Sequence, residues 1–143
     1  MNPGRLALAV LGGFVFLFAS DYLIHELWLA ADYKASAELW RAGDEIHRRL
    51  VIIFIGQFLC ALAFLYIWAR TGWRRRSILD GCSFGFWMGL FHQVSTLVLY
   101  VILPMRKELA VKWFIAGMVQ AILFGALASL LYKPRPILGD RRP

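Results

Sequence analysis

The chain has 143 residues, enough for one domain. Apolar residues make up 60% of it, well above the roughly 45–50% of soluble domains, and the mean hydropathy is +0.61. A soluble fold would have too little polar surface to cover such a core, so lipid has to be part of the solvent. The net charge of +7 is no nucleic-acid footprint, because the basic residues fall in short connectors and tails between apolar runs. Cys60 and Cys82 lie in different apolar runs, which suits packing residues better than a disulfide or a metal pair.

The first apolar run, about residues 6–30, is long enough to cross a bilayer with some tilt. It reads as an uncleaved helix, since neither Phe18-Ala-Ser20 nor Leu29-Ala-Ala31 has small residues at both cleavage positions. A polar loop of residues 31–49 follows. Within it Ser36 is a candidate N-cap for a turn carrying Leu39 and Trp40 toward lipid; an irregular loop packed over the bundle fits equally. Asp44 and Glu45 suit the positive end of the second spanning helix, and Gly43 separates it from the loop.

That second run covers about 50–69 and ends at Arg70, with Gly72 a candidate C-cap. The third covers about 77–103, opened by a capping-box pattern, Ser77 with Asp80, and closed by Pro104. After the turn at residues 105–108 the fourth covers about 109–132, and a basic, Pro-rich tail of residues 133–143 ends the chain. These runs predict an all-α integral membrane four-helix bundle, a single transmembrane domain over residues 1–143. Nine basic residues on the side of the termini, among them Arg74, Arg75 and Arg76, against seven on the other side put both termini in the cytoplasm.

Small-residue stripes predict the packing. Gly81, Gly85 and Gly89 recur every four residues on the third helix, and Gly117, Ala121, Gly125 and Ser129 do so on the fourth, which points to a close antiparallel pair. The first two helices carry thinner versions, Ala9 with Gly13 and Gly56 with Cys60.

Polar side chains inside the spans are the candidate site. Continuing the glycine stripe to His92 turns that residue toward protein, at the depth of Gln120 and near that of Asp21 and Gln57. Intramembrane ionisable groups are costly and are functional candidates by default. The expected pair is Asp21 with His92, joined by His25, Gln57 and Gln120, as a polar network that fixes helix order or as a ligand site. If a metal binds, Asp21 and His25 are its candidate ligands; no known metal motif is present, and no cofactor is implied. No serine or cysteine has an evident base, so catalysis is not expected. Tyr22, Trp28, Tyr33, Trp40, Tyr100 and Trp113 read as an interfacial aromatic belt.

The run Asp21-Tyr-Leu-Ile-His25, with Leu29, Tyr33, Ala37, Leu39-Trp40-Arg41, Tyr100, Pro104, Leu109-Ala110, Trp113-Phe114 and Gly117, resembles a family of small uncharacterised four-helix bacterial membrane proteins. The chain departs from that pattern at Glu26 and at Ala42-Gly43. The resemblance implies a bacterial cytoplasmic (inner) membrane location and the shared fold, and singles out Asp21, His25, Tyr33, Trp40 and Arg41. The expected function is a structural or accessory subunit. Its partners would be the lipid bilayer with other membrane subunits or further copies, and no nucleic acid. A ligand-binding protein or enzyme built on Asp21, His25 and His92, or a small oligomeric transporter, are the alternatives.

Overall fold

The computed structural model describes residues 2–70 and 77–132, and these form an all-α bundle. Gly72, the arginines of the second connector and the tail of residues 133–143 lie outside the described residues. Four helices are long and apolar enough to cross a membrane, which makes the chain multi-pass by length and composition. The first runs Pro3–Trp28. It begins as helix α1 (Pro3–Asp21) and continues as a π-helical segment, Tyr22–Trp28. Helices α4 (Leu50–Arg70), α5 (Ile78–Ile102) and α6 (Lys107–Leu131) are the other three. Between the first two lie α2 (Ala30–Lys34), a 3-10 turn at Ala37–Leu39, and α3 (Gly43–Arg48).

Local chemistry sets most of these boundaries. Asn2 accepts the Arg5 backbone N–H and Pro3 occupies the first turn of α1, where its missing N–H costs nothing. The capping box of α5 forms as expected: the Asp80 backbone N–H donates to Ser77 Oγ, and the Ser77 N–H donates to Asp80 Oδ2. Asp44 and Glu45, by contrast, do not open α4. They occupy the first turn of the separate helix α3, where their carboxylates face Arg48 and Arg49 at i, i+4. A break at Arg49 lets α4 start afresh at Leu50, so the acidic pair serves the loop rather than the span.

Packing is uneven along the bundle. Two ends can be distinguished: a terminal end, where the first and last helices begin and finish, and a loop end carrying residues 22–49 and 103–106. The apolar core lies toward the terminal end. Phe64 stacks on Phe124 with centroids 4.3 Å apart and meets Phe84 edge-on at 4.8 Å, while Trp68 lies 5.3 Å from Phe84 and is fully buried. Ala9, Val10, Leu65 and Ala128 close the layer. At the same end the Asn2 backbone N–H donates to Tyr132 Oη at 3.2 Å, which ties the start of α1 to the end of α6.

Among the described elements, α5 and α6 share the most extensive contact. A Cβ at Gly81 would collide with the Gly125 carbonyl, one at Gly85 with the Ala121 carbonyl, and one at Gly125 with the Gly81 carbonyl. Backbone therefore lies directly on backbone, as the small-residue stripes predicted. Gly13 also packs tightly, against Phe124 and Leu65, but Gly56 has nothing within 4 Å and Cys60 is exposed. The second helix uses no small-residue seam. α4 and α5 meet chiefly through Phe64, Trp68 and Phe84, so toward the loop end these two helices stand apart.

The contrast between glycines is measurable. Gly85→Ala should cost about 1–3 kcal/mol, as overpacking of a filled interface does. Gly56→Ala, with open space around it, should be neutral or stabilising by up to about 1 kcal/mol. Reversible unfolding in detergent micelles, followed by circular dichroism, reads both.

Candidate functional site

Polar residues of α1, α4 and α6 converge on Asp21, the last residue of α1 before the backbone changes to π geometry. Its Oδ2 accepts the side-chain amide of Gln57 from α4 at 2.6 Å, and its Oδ1 accepts that of Gln120 from α6, also at 2.6 Å. The Gln120 amide donates in addition to Ser20 Oγ at 2.8 Å, and the Ser20 hydroxyl donates to the Phe16 carbonyl at 2.7 Å. One carboxylate thus holds three helices together. Gln57 Oε1 is enclosed and has no hydrogen-bond partner among the described residues.

Past Asp21 the helix widens. The Leu29 N–H reaches the Ile24 carbonyl at 2.9 Å, an i→i+5 bond. This segment carries His25, whose Nδ1 lies 2.5 Å from Tyr33 Oη. Trp113 Nε1–H donates to the same oxygen at 2.7 Å. The phenol oxygen thus joins the imidazole to the indole, and the tautomer of His25 sets whether Nδ1 accepts the phenol proton or donates its own. Burial raises the Tyr33 phenol to about 12, partly opposed by the Trp113 hydrogen bond.

Trp40 completes a packed aromatic group, edge-on to Tyr33 at 5.3 Å and tilted to Trp113 at 5.8 Å. Ser36 holds that ring from behind: it donates to the Asp32 carbonyl at 2.9 Å and accepts Trp40 Nε1–H at 3.0 Å. Asp32 in turn meets Lys112 at 2.7 Å. Leu29, Met105 and Leu109 are buried beneath, so the loop is a clasp folded over the start of α6.

Several expectations change here. Ser36 stands at the N-cap position of the Ala37–Leu39 turn, but its side chain does not cap it; it is buried and bridges Asp32 to Trp40. Trp40, Tyr33 and Trp113 pack on one another instead of joining a belt, whereas Tyr22, Trp28 and Tyr100 remain exposed as a belt requires. Arg41 stands apart from the cluster in an exposed pair with Glu45 at 3.3 Å, a contact worth little.

The largest correction concerns His92, which is exposed and does not meet Asp21. The buried residue is its neighbour Gln93, whose amide lies against Gly117 and whose Oε1 accepts the Thr96 hydroxyl at 2.6 Å. The seam follows the i, i+4 row from Gly81 through Gly85 and Gly89. Each step of four residues advances it by about 40° around the helix, so at this level it has turned past His92 onto Gln93. The sequence carried this signal in the spacing itself, since Gln93 is four residues after Gly89.

Among the described residues no group of three or more His, Cys, Asp or Glu side chains is placed to hold a metal ion. The donors to Asp21 are two side-chain amides, those of Gln57 and Gln120, one to each carboxylate oxygen. Chemically the arrangement can hold one anion in a fixed place and align a Trp–Tyr–His hydrogen-bond relay beside it. Searched against family models, curated proteins and solved structures, the chain matches none.

Two measurements test this geometry. Replacing Gln120 by Leu should cost about 0.6–2 kcal/mol, the range for interhelical hydrogen bonds in membranes. A double-mutant cycle with Asp21→Leu should then show the two losses to be less than additive. In an ultraviolet titration Tyr33→Phe should remove the latest phenol step. Because the folded phenol is raised above its unfolded value of about 10, the stability it contributes is complete below pH 10 and is lost as pH rises toward 12.

Proposed function

We propose that this chain is a structural or accessory subunit of a larger membrane assembly, docked through the face of α5 that carries His92. The carrying observation is that exposure. His92 lies ten residues before Ile102, about 15 Å from the loop end of its helix. A histidine facing hydrocarbon at that depth is costly unless a protein group meets it. Ser95 is exposed on the same stretch, its hydroxyl turned back to the His92 carbonyl at 2.7 Å. Beside them Phe91 is 80% exposed. A partner helix offering a hydrogen-bonding group at mid-depth suits this surface better than lipid does.

The setting belongs to the same proposal. The excess of Lys and Arg on the terminal side supports cytoplasmic termini. The signature from Asp21 to Gly117 supports a bacterial cytoplasmic membrane and membership of the small four-helix family it resembles. Five of the signature residues have architectural work: Asp21 joins helices, and Tyr33, Trp40, Leu109 and Trp113 build the clasp.

A second reading rests on Gln57 Oε1, an enclosed acceptor with no partner among the described residues beside a π-helical segment, a backbone form frequent at functional sites. On that reading a small molecule with a hydrogen-bond donor binds near Asp21 and His25. Asp21→Asn would then release a co-purified ligand while the bundle stays folded.

Native mass spectrometry of the protein gently extracted from its own membranes decides the leading reading. The expected result is a defined heteromeric assembly that His92→Leu dissolves without lowering the helicity of the bundle. Recovery of the wild-type chain alone, or an assembly indifferent to His92→Leu, would overturn it.

A further inference from the structure

Independently of that docking face, we propose that the cleft between the loop ends of α5 and α6 is a binding site for one anionic phospholipid, acyl chain in the cleft and phosphate on Lys107. The cleft has a volume of about 350 Å³ and is walled by Thr96, Leu97 and Tyr100 of α5 and by Val111 and Phe114 of α6, with Lys107 among its lining residues. It exists because the glycine seam ends. At Gly81 and Gly85 backbone meets backbone, whereas past Gly89 the seam continues through Gln93 and Thr96, whose side chains stand between the helices.

Shape selects a chain and not a compact solute. The walls are apolar, for the Thr96 hydroxyl is turned to Gln93 Oε1 at 2.6 Å. The cleft follows α6 from Lys107 to Ile115, eight residues or about 12 Å. That is close to the roughly 15 Å of hydrocarbon in one leaflet.

Charge selects the headgroup. Lys107, the first residue of α6, has no carboxylate partner among the described residues. Its neighbours are accounted for: Arg106 lies 3.9 Å from Glu108, and Lys112 is held by Asp32 at 2.7 Å. Lys107 is thus the cation left at the rim of an apolar cleft at the membrane surface, where a lipid phosphate lies. Tyr100, 42% exposed beside it, offers the amphipathic ring typical of the headgroup level.

The full-length protein is placed in nanodiscs of equal phosphatidylglycerol and phosphatidylcholine and released into the mass spectrometer. The expected spectrum shows one retained phosphatidylglycerol per chain. Lys107→Gln should lower that occupancy about fivefold, the worth of one basic contact at an anionic surface. Val111→Trp, a change at a 48% exposed wall position, should abolish retention by filling the cleft, with unchanged helicity and oligomeric state. Equal retention of phosphatidylcholine would overturn the headgroup assignment. Retention surviving both substitutions would overturn the site, and so would a second copy of the chain seated there in place of lipid.

Discussion

A single carboxylate, Asp21, fixes how three of the four spanning helices stand to one another. In hydrocarbon, apolar faces gain little by leaving lipid for each other, so helix order has to come from shape and from hydrogen bonds. Asp21 supplies the hydrogen bonds, its two oxygens taking one amide from α4 and one from α6. The position of Gln57 and Gln120 then sets the register of both helices against α1. It also explains why the aromatic core can be confined to the terminal half: toward the loop end, polar contacts take over the task.

Shape supplies the remaining link. α5 shares no polar contact with Asp21 and is held by backbone contact with α6 at Gly81 and Gly85, and by Phe84 against Phe64 and Trp68. Its other faces stay open, which places His92 and the α5–α6 cleft on the outside of the bundle. Both proposals therefore share one cause, a helix anchored along a narrow strip.

The spans, the capping box at Ser77 and the α5–α6 glycine seam were legible in the sequence, because each follows from a local pattern: hydropathy over twenty residues, a three-residue spacing, or a four-residue repeat. Asp21, Gln57 and Gln120 were recognised as one polar network at compatible depths, but the direct partner of Asp21 was not, since depth leaves the rotation of each helix open. His92 shows how sharp that limit is: one residue's difference along a drifting seam exchanges a buried side chain for an exposed one. The π segment left no trace in composition; its residues, Tyr-Leu-Ile-His-Glu-Leu-Trp, read as ordinary helix. A loop packed over the bundle was one of two readings of residues 31–49. Its aromatic packing was not foreseen, because Trp and Tyr at an interface suit lipid as well as each other, and only the contacts of Tyr33 with His25 and Trp113 tell the two apart.

The bond between Asn2 and Tyr132 spans almost the whole described chain, and those from Asp32 to Lys112 and from Tyr33 to Trp113 each join residues eighty apart. The glycine seam joins neighbours in sequence across one tight turn. Contacts between near residues close with little loss of chain entropy, whereas distant ones wait until both partners are in place. The glycine seam is thus the cheapest of these links to close in chain entropy, while the clasp and the tie between Asn2 and Tyr132 are the costly ones.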